Sequence, residues 1–503
     1  MLERSQDKPL YQQLADALSN DIRSGIYPVG HKVPSVRKMS RLRGVSISTV
    51  SQAYGWLEDQ GWLQARPQSG YYVRSTHTQM GQAKVIRLPV SAPEVAPSEV
   101  TKADLISHVL NQLNHPSQVN LGATIPHASL MPQRQLQQHI QKVSRYRLAE
   151  VLTYQFSPGH TGLRQQLAIR MRDASVTCHS DDIVISHGCV EALTLCLRAS
   201  TTPGDLIAVE SPCYYGFLQL AELLGLKVLE IPTDPATGIS LEALELALSQ
   251  WPITLVLLTA RFSNPHGSVI PVARQKQLVA MARRYDIDLL EDDIYGELAY
   301  VNKNTSPKNT GPNNTGLDGA CTALKAWDTD GRVMYCSSFS KTLSAGLRIG
   351  WCIPGRHFDD VVKHQLFTTF SASSLSQETL YSYLQQGHYD RHLRKLRQTI
   401  TDNCMRFYQA IQQYFPAQTL ISQPLGGYCL WVQLPDGVSS GQLFHLAREQ
   451  SISIVPGGLF SNSERFEQYL RLNIARPWDD SVATALSTLG QLVTRLMPQS
   501  LPT

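Results

Sequence analysis

The 503-residue sequence predicts an α/β protein, and three observations carry that prediction. From about residue 118 short β-branched runs alternate with amphipathic helical stretches, the pattern of a large, mostly parallel sheet covered on both faces. Ahead of it lie three short helical segments and a strand–turn–strand segment, enough for a small separate unit. After about residue 355 a helix-rich stretch leads into a few strand-like runs, which suit a smaller C-terminal α+β subdomain. Two or three units are expected at this length.

The totals narrow the class. Hydrophobic residues make up 42% and charged residues 17%, as in a soluble globular protein. The opening residues MLERSQDK are charged, which argues against a signal peptide, and no apolar run approaches the roughly 20 residues of a membrane helix. Nine cysteines are scattered from Cys178 to Cys429 without a C-x-x-C pair. That set suits free thiols in a reducing cytoplasm and neither a disulfide framework nor a metal site. Residues 1–76 hold ten Lys or Arg against six Asp or Glu, whereas the remainder holds 35 of each. The whole excess of +4 therefore falls where a polyanion would dock.

The N-terminal unit reads helix by helix. Leu10, Leu14, Leu18 and Ile22 fall at helical spacing, and Gly25 and Pro28 end that helix. PSVRKMSRLRG follows, with Pro34 at the start and Gly44 as the stop. A third helix begins near Ser46 or Ser48 and ends at Gly61. WLQARPQSGYYV then has strand–turn–strand character, with Pro67, Ser69 and Gly70 in the turn. Two short helices, a tight turn and a hairpin behind them make a winged helix-turn-helix pattern. Arg37, Lys38, Arg41 and Arg43 could neutralise phosphates, and Ser46, Ser48, Thr49, Ser51 and Gln52 could reach phosphates or base edges.

Residues 77–117 are expected to be a linker rich in Pro, Ala and Ser, with one helix near ADLISHVLNQL. Beyond it the strand candidates are DIVISHG, DLIAVES, KVLEIPT, ITLVLLTA, IDLLEDD, RVMYCSSFSK and RIGWCIP, followed by GGYCLWVQLPD, ISIVPGG and LRLNIARP. The polar stretch 302–319 is expected to be a surface loop.

The segments PLYQQLADAL, PSVRKMSRLRGVSISTVSQAY and ARPQSGYYV resemble the DNA-binding domain of the GntR family of bacterial regulators over about 66 residues. That resemblance implies contacts to double-stranded operator DNA by Ser35, Arg37, Ser48, Thr49 and the wing around Ser69. Ile47 stands where the family often has arginine, so the usual guanine contact has no counterpart here.

SSFSKTLSAGLRIGW raises a different chemistry. A lysine amine is a useful nucleophile when burial lowers its pKa and it meets an aldehyde, which pyridoxal phosphate supplies. The cofactor's ring nitrogen needs a carboxylate, its phenolic oxygen needs donors, and its phosphate needs hydroxyls, N–H groups and a cation. Asp292 and Tyr295 in EDDIYGEL, Asn264 in FSNPHG, Ser338 and Ser340 before Lys341, and Arg348 after it are candidates. The glycine turn of SHGCVEALTL offers the N–H groups of Cys189 and Val190, and Tyr214 in ESPCYYG offers a ring to stack.

With S-x-S-K-x(6)-R, N-P-x-G and D-x-x-Y present, residues 118–503 resemble the fold-type I aminotransferases of the class I/II kind. The resemblance implies that Lys341 forms the internal aldimine, a Schiff base, that Asp292 pairs with the ring nitrogen, and that Asn264 and Tyr295 bind the phenolic oxygen. It implies that Ser338 and Arg348 hold phosphate, that Tyr154 reaches the cofactor of a neighbouring subunit, and that Arg471 grips a substrate carboxylate. The whole architecture, with domains at 1–76, 77–117 and 118–503, is similar to the MocR-type branch of the GntR family. The implied protein is a cytoplasmic, dimeric, pyridoxal-phosphate-dependent transcription regulator with a small amino compound or amino acid as effector. An aminotransferase acting on α-amino acids is the alternative, with weak transaminase activity compatible with either.

Overall fold

In the computed structural model the described residues are 9–23, 26–28, 30–59, 62–66, 69–73, 97–98, 119–301 and 322–498. Gly25, Gly61, Pro67, the expected helix at ADLISHVLNQL and the polar stretch 302–319 lie outside them, as does all of the expected linker except residues 97 and 98.

The chain divides into a small N-terminal unit and a large one. In the small unit α1 spans Leu10–Arg23, α2 Val36–Arg43 and α3 Ile47–Asp59, and β1 (Leu63–Arg66) pairs antiparallel with β2 (Gly70–Val73). Leu14, Leu18, Ile22, Met39, Val50, Ala53, Tyr54 and Leu57 close one core with Val33, Trp62 and Val73. The Tyr54 hydroxyl donates to the Pro34 carbonyl at 2.6 Å, so its polar tip is satisfied inside that core. The start of α2 corrects the sequence reading. Ser35 is the cap, its hydroxyl accepting from the Lys38 N–H at 3.3 Å, and Pro34 stands one residue before it. Gly44 ends α2 at φ 65°, a left-handed conformation that a Cβ disfavours. Ser46 accepts from the Thr49 N–H at 3.0 Å at the head of α3. Residues 31–33 bond to the outer side of β2, with Val33 N–H on the Tyr71 carbonyl and Val73 N–H on the His31 carbonyl, which braces the wing.

In the large unit the main strands are β4 (Val184–Ser186), β5 (Leu206–Ser211), β6 (Lys227–Asp234), β7 (Gly238–Ile239), β8 (Ile253–Leu258), β9 (Asp288–Asp292), β10 (Val333–Ser338) and β11 (Gly350–Ile353). They form one sheet in the order β4-β11-β10-β9-β8-β5-β6-β7. The central run from β10 through β6 is parallel, and β11 runs antiparallel to both its neighbours. All seven strand runs expected in this region are present; the two-residue β7 is additional.

Burial on both faces explains why those runs are apolar without alternation. Ile207, Val209, Leu255, Leu257 and Leu290 pack under helices 189–200, 215–223 and 358–368. The intervening Leu206, Ala208, Val256, Leu258 and Leu289 pack under helices 241–250 and 272–284 on the other side. The smaller subdomain holds a second, antiparallel sheet of β12 (Leu420–Ile421), β13 (Cys429–Gln433), β16 (Tyr469–Asn473) and β15 (Val455–Pro456). It shares its core with helices 388–414, 440–449 and 480–496. The expected strand ISIVPGG is split: β14 (Ile452–Ser453) pairs parallel with β3 (Val119–Asn120) instead. Ser98 forms a two-bond bridge to Val228 on β6. Among the described residues no helix is long and apolar enough to cross a membrane.

Leu57 is fully buried among the three helices of the small unit. Leu57→Ala should destabilise that unit by about 2–5 kcal/mol, read by urea unfolding, while leaving the large unit's transition in place.

Candidate functional site

The carboxyl ends of the parallel strands converge on one cavity, where α/β sheets place their ligands. Asp292 ends β9, and Ser338 ends β10 three residues before Lys341. Thr259 and Asn264 follow β8, Tyr214 follows β5, and Gly188 turns the chain from β4 into helix 189–200. Cys189, Val190, Tyr214, Asn264, Asp292, Tyr295, Ser338, Lys341 and Arg348 all line this cavity, together with Thr124, Leu193, Thr259, Ile294 and Ser340.

The electrostatics follow from burial. The Lys341 amine donates to the Thr124 carbonyl at 2.8 Å. Burial, reinforced by the Arg471 guanidinium, lowers its pKa from 10.5 to about 8. Burial pushes Asp292 up to about 6, opposed by a hydrogen bond from the Cys189 thiol at 3.3 Å. Asp292 also accepts the Ile294 N–H at 3.3 Å. Tyr295 and Tyr214 are held well above the usual phenol range, chiefly by burial, so both remain neutral donors.

The phosphate end is a turn shaped by glycine. Gly188 has φ 87°, and a Cβ there would come within 2.8 Å of the Arg348 guanidinium. Arg348 donates to the His187 carbonyl at 2.9 Å and is itself at φ 53°. No side chain caps helix 189–200, so its first N–H groups are free to face an anion beside Ser338, Ser340 and Arg348. Among the described residues Asp292 accepts only a thiol and a backbone N–H, so a cationic ring N–H supplies a further donor. This donor set fits pyridoxal phosphate. Asp292 and the tyrosines would hold the ring, and helix 189–200, Ser338 and Arg348 the phosphate.

Two expected residues lie elsewhere. Arg471 does not line the cavity. It is fully buried behind Asn264, donating to the Asn264 side-chain oxygen at 2.9 Å and the Gly122 carbonyl at 2.8 Å. The rings of Phe460 and Tyr215 cover it at 5.0 and 5.6 Å. Tyr154 is 80% exposed and stacks on Phe156 beside Phe370, away from its own chain's cavity. Sequence reading missed Thr124 and Gly122. Both follow Asn120, whose side chain accepts from the Gly122 and Ala123 N–H groups at 3.1 and 2.9 Å. The local signal was that turn-forming asparagine two residues before a glycine.

In the small unit Ser35, Arg37 and Ser48 are exposed, Thr49 is half-buried, and the Ser69 hydroxyl shares a hydrogen bond with the Tyr72 hydroxyl at 2.7 Å. Of the four clustered cations Arg43 is paired with Asp21 at 2.8 Å, while Arg37, Lys38 and Arg41 are exposed. Ile47 is exposed in the first turn of α3.

A parallel sheet delivering a buried lysine, an aspartate and an uncapped helix to one cavity defines a fold-type I aminotransferase domain, a pyridoxal-phosphate-dependent class. Residues 117–489 match the aminotransferase class I and II family, and residues 10–73 match the gntR family of bacterial regulatory proteins. The chain belongs to the MocR-type branch of GntR regulators, which joins those two domains. The uncharacterized HTH-type transcriptional regulators YdcR and YjiR of Escherichia coli strain K12 are 39% and 38% identical to it. The matches span 486 and 488 residues, 96% and 97% of this chain and 98% and 99% of theirs. The crystal structure of Pyrococcus horikoshii kynurenine aminotransferase superimposes with a TM-score of 0.69 at 25% identity, covering 78% of this chain and 95% of that one.

Cofactor-free protein labelled with an amine-reactive probe should show Lys341 reactivity rising through a midpoint near pH 8. An ordinary lysine titrates near 10.4. Because Arg471 repels the ammonium, Arg471→Gln should move that midpoint upward, read by peptide mass mapping across pH.

Proposed function

We propose that residues 1–76 form the operator-binding domain, 77–117 the linker and 118–503 the pyridoxal-phosphate domain of a cytoplasmic, dimeric transcription regulator. In this reading the cofactor is bound covalently at Lys341 and a small amino compound or amino acid is the effector. The observation that carries it is one amine with a depressed pKa, enclosed with Asp292, in the same chain as a winged helix-turn-helix.

Pyridoxal phosphate supplies an aldehyde and an electron-withdrawing ring when bound. Lys341, with a pKa near 8, presents a neutral amine to that aldehyde in an appreciable fraction of molecules at neutral pH. Asp292 holds a proton on the ring nitrogen, while Asn264 and Tyr295 orient the phenolic oxygen and Tyr214 stacks on the ring. The N–H groups of Cys189 and Val190, with Ser338 and Arg348, fix the phosphate. Arg471 reaches an effector carboxylate through the guanidinium edge now on Asn264, so admission of that group exchanges one hydrogen bond for another. An effector acts on DNA binding only through differential affinity for two arrangements of the protein.

For DNA, Ser35, Arg37 and Ser69 meet phosphates, and Ser48 and Thr49 sit at the reading end of α3. Exposed Ile47 offers an apolar surface of the kind that meets a thymine methyl group. The dimer is supported by the exposed aromatic patch of Tyr154, Phe156 and Phe370, which a second subunit would cover. There Tyr154 would reach the partner's phosphate.

Selection of bound DNA fragments with and without pyridoxal phosphate and candidate amines should yield one operator whose affinity changes with the effector. Lys341→Ala should abolish the cofactor absorbance and the response together while retaining operator binding. Identical binding in every condition overturns the switch, and sustained turnover of an amino acid with a keto acid favours the aminotransferase alternative.

Tyr154→Ala should weaken cofactor binding about tenfold, the scale of one charge-assisted hydrogen bond. Mixing this variant with Lys341→Ala subunits should restore tight sites. Absence of recovery on mixing overturns the cross-subunit role.

A further inference from the structure

A second cavity, of about 560 Å³, lies between the first turn of helix 133–146 and the first three turns of helix 388–414. Its volume is that of a site for a metabolite-sized ligand. None of its lining residues takes part in the cofactor site, and its charge is all of one sign. Arg134, Arg391 and Lys395 line it, with His388 and His392, and no carboxylate does. Among the described residues none of the three cations forms an ion pair, whereas nine other arginines of the large unit do.

Two further observations point to an anion. Neither helix carries a side-chain cap: Pro132 precedes one and Gly387, at φ 67°, the other. Uncapped helix N-termini present free N–H groups and the positive end of a dipole, and here two meet at one cavity. The second observation is Tyr383. It lines the cavity and is fully buried, and among the described residues its hydroxyl has no hydrogen-bond partner. A buried hydroxyl without a partner costs about 1–3 kcal/mol, which an acceptor in the cavity would recover.

We propose that this cavity binds a small oxyanion, a phosphate or carboxylate carried on a metabolite-sized body. Arg134, Arg391 and Lys395 supply charge and the Tyr383 hydroxyl supplies a directed donor. The site also touches the first one. His392 Nε2 donates to the Thr342 carbonyl at 2.7 Å, one residue past Lys341, and Tyr389 on the same helix bonds the Thr342 hydroxyl at 2.7 Å. A ligand here therefore bears on the peptide that carries the lysine. Binding itself does not rest on the regulator reading.

The test is calorimetric titration of the full chain, saturated with pyridoxal phosphate to fill the cofactor's own phosphate cradle, at fixed ionic strength. Inorganic phosphate and succinate serve as separate probes. The expected result is a single site, weakened about tenfold or more in Arg391→Gln/Lys395→Gln and severalfold in Tyr383→Phe, with melting temperature and cofactor absorbance unchanged. Tighter binding of phosphate identifies a phosphate-bearing ligand, and tighter binding of succinate a carboxylate. Equal affinity in the double variant overturns the proposal. So does an absence of binding by either probe in the unaltered protein, and loss of operator affinity in the double variant would then assign the basic cluster to DNA. Should Lys341 fail to take the cofactor, the same variants still report on this cavity, so the two readings fail separately.

Discussion

Everything in the larger unit depends on keeping an amine, a guanidinium and a carboxylate together in one dry space. Water normally solvates all three, and its removal penalises every charged form. Lys341 and Arg471 repel one another across the site, Asp292 attracts the lysine, and burial works against all of them. The outcome is a lysine that parts with its proton near neutrality and an aspartate that keeps one longer than usual. Neither could hold that state on an open surface, where solvent screens such interactions within a few ångströms. The fold is in this sense a means of excluding water from a few polar atoms.

The sheet accomplishes this by carrying polar side chains at the ends of otherwise apolar strands. Asp293, next to Asp292, is clamped by Arg261 and accepts the Tyr335 hydroxyl at 2.7 Å. That network fixes the bend after β9, so Asp292 points into the cavity while its neighbour is consumed by structure. Glu230 on β6 accepts hydroxyls from both Ser211 and Ser461, tying the end of β5 to a loop of the smaller subdomain. Both networks are buried and hydrogen-bonded on several sides, the condition under which such groups make a site rigid.

Fold class and strand count were legible because a strand covered on both faces must be apolar throughout, and such runs stand out between helices. The motif residues from Cys189 to Arg348 could be named because each lies within a few residues of a strand end. Groups that meet the site from a distance were less legible. Thr124 contributes a backbone carbonyl, which leaves no trace in residue type, and Arg471 could be named only through the family resemblance, because its place is set by the pairing of β16 with β13 more than a hundred residues from Lys341. Pro34 suits a helix start because proline fits a first turn, yet Ser35 takes the cap since its hydroxyl can satisfy an N–H group. The oxyanion cavity was invisible because Arg134 and Arg391 are brought together only by tertiary packing.

Beneath Asp292, where the sheet meets helix 189–200, Cys196, Cys336 and Cys352 are packed with no solvent exposure, the first two sulfurs 3.8 Å apart. Cys336 and Cys352 are also direct cross-strand partners on β10 and β11. Water-soluble thiol reagents cannot reach this layer while the strands stay paired. These sulfurs are thus an internal clock on the opening of the sheet: their modification rate times how often the platform under the cofactor comes apart, in a protein carrying no added label.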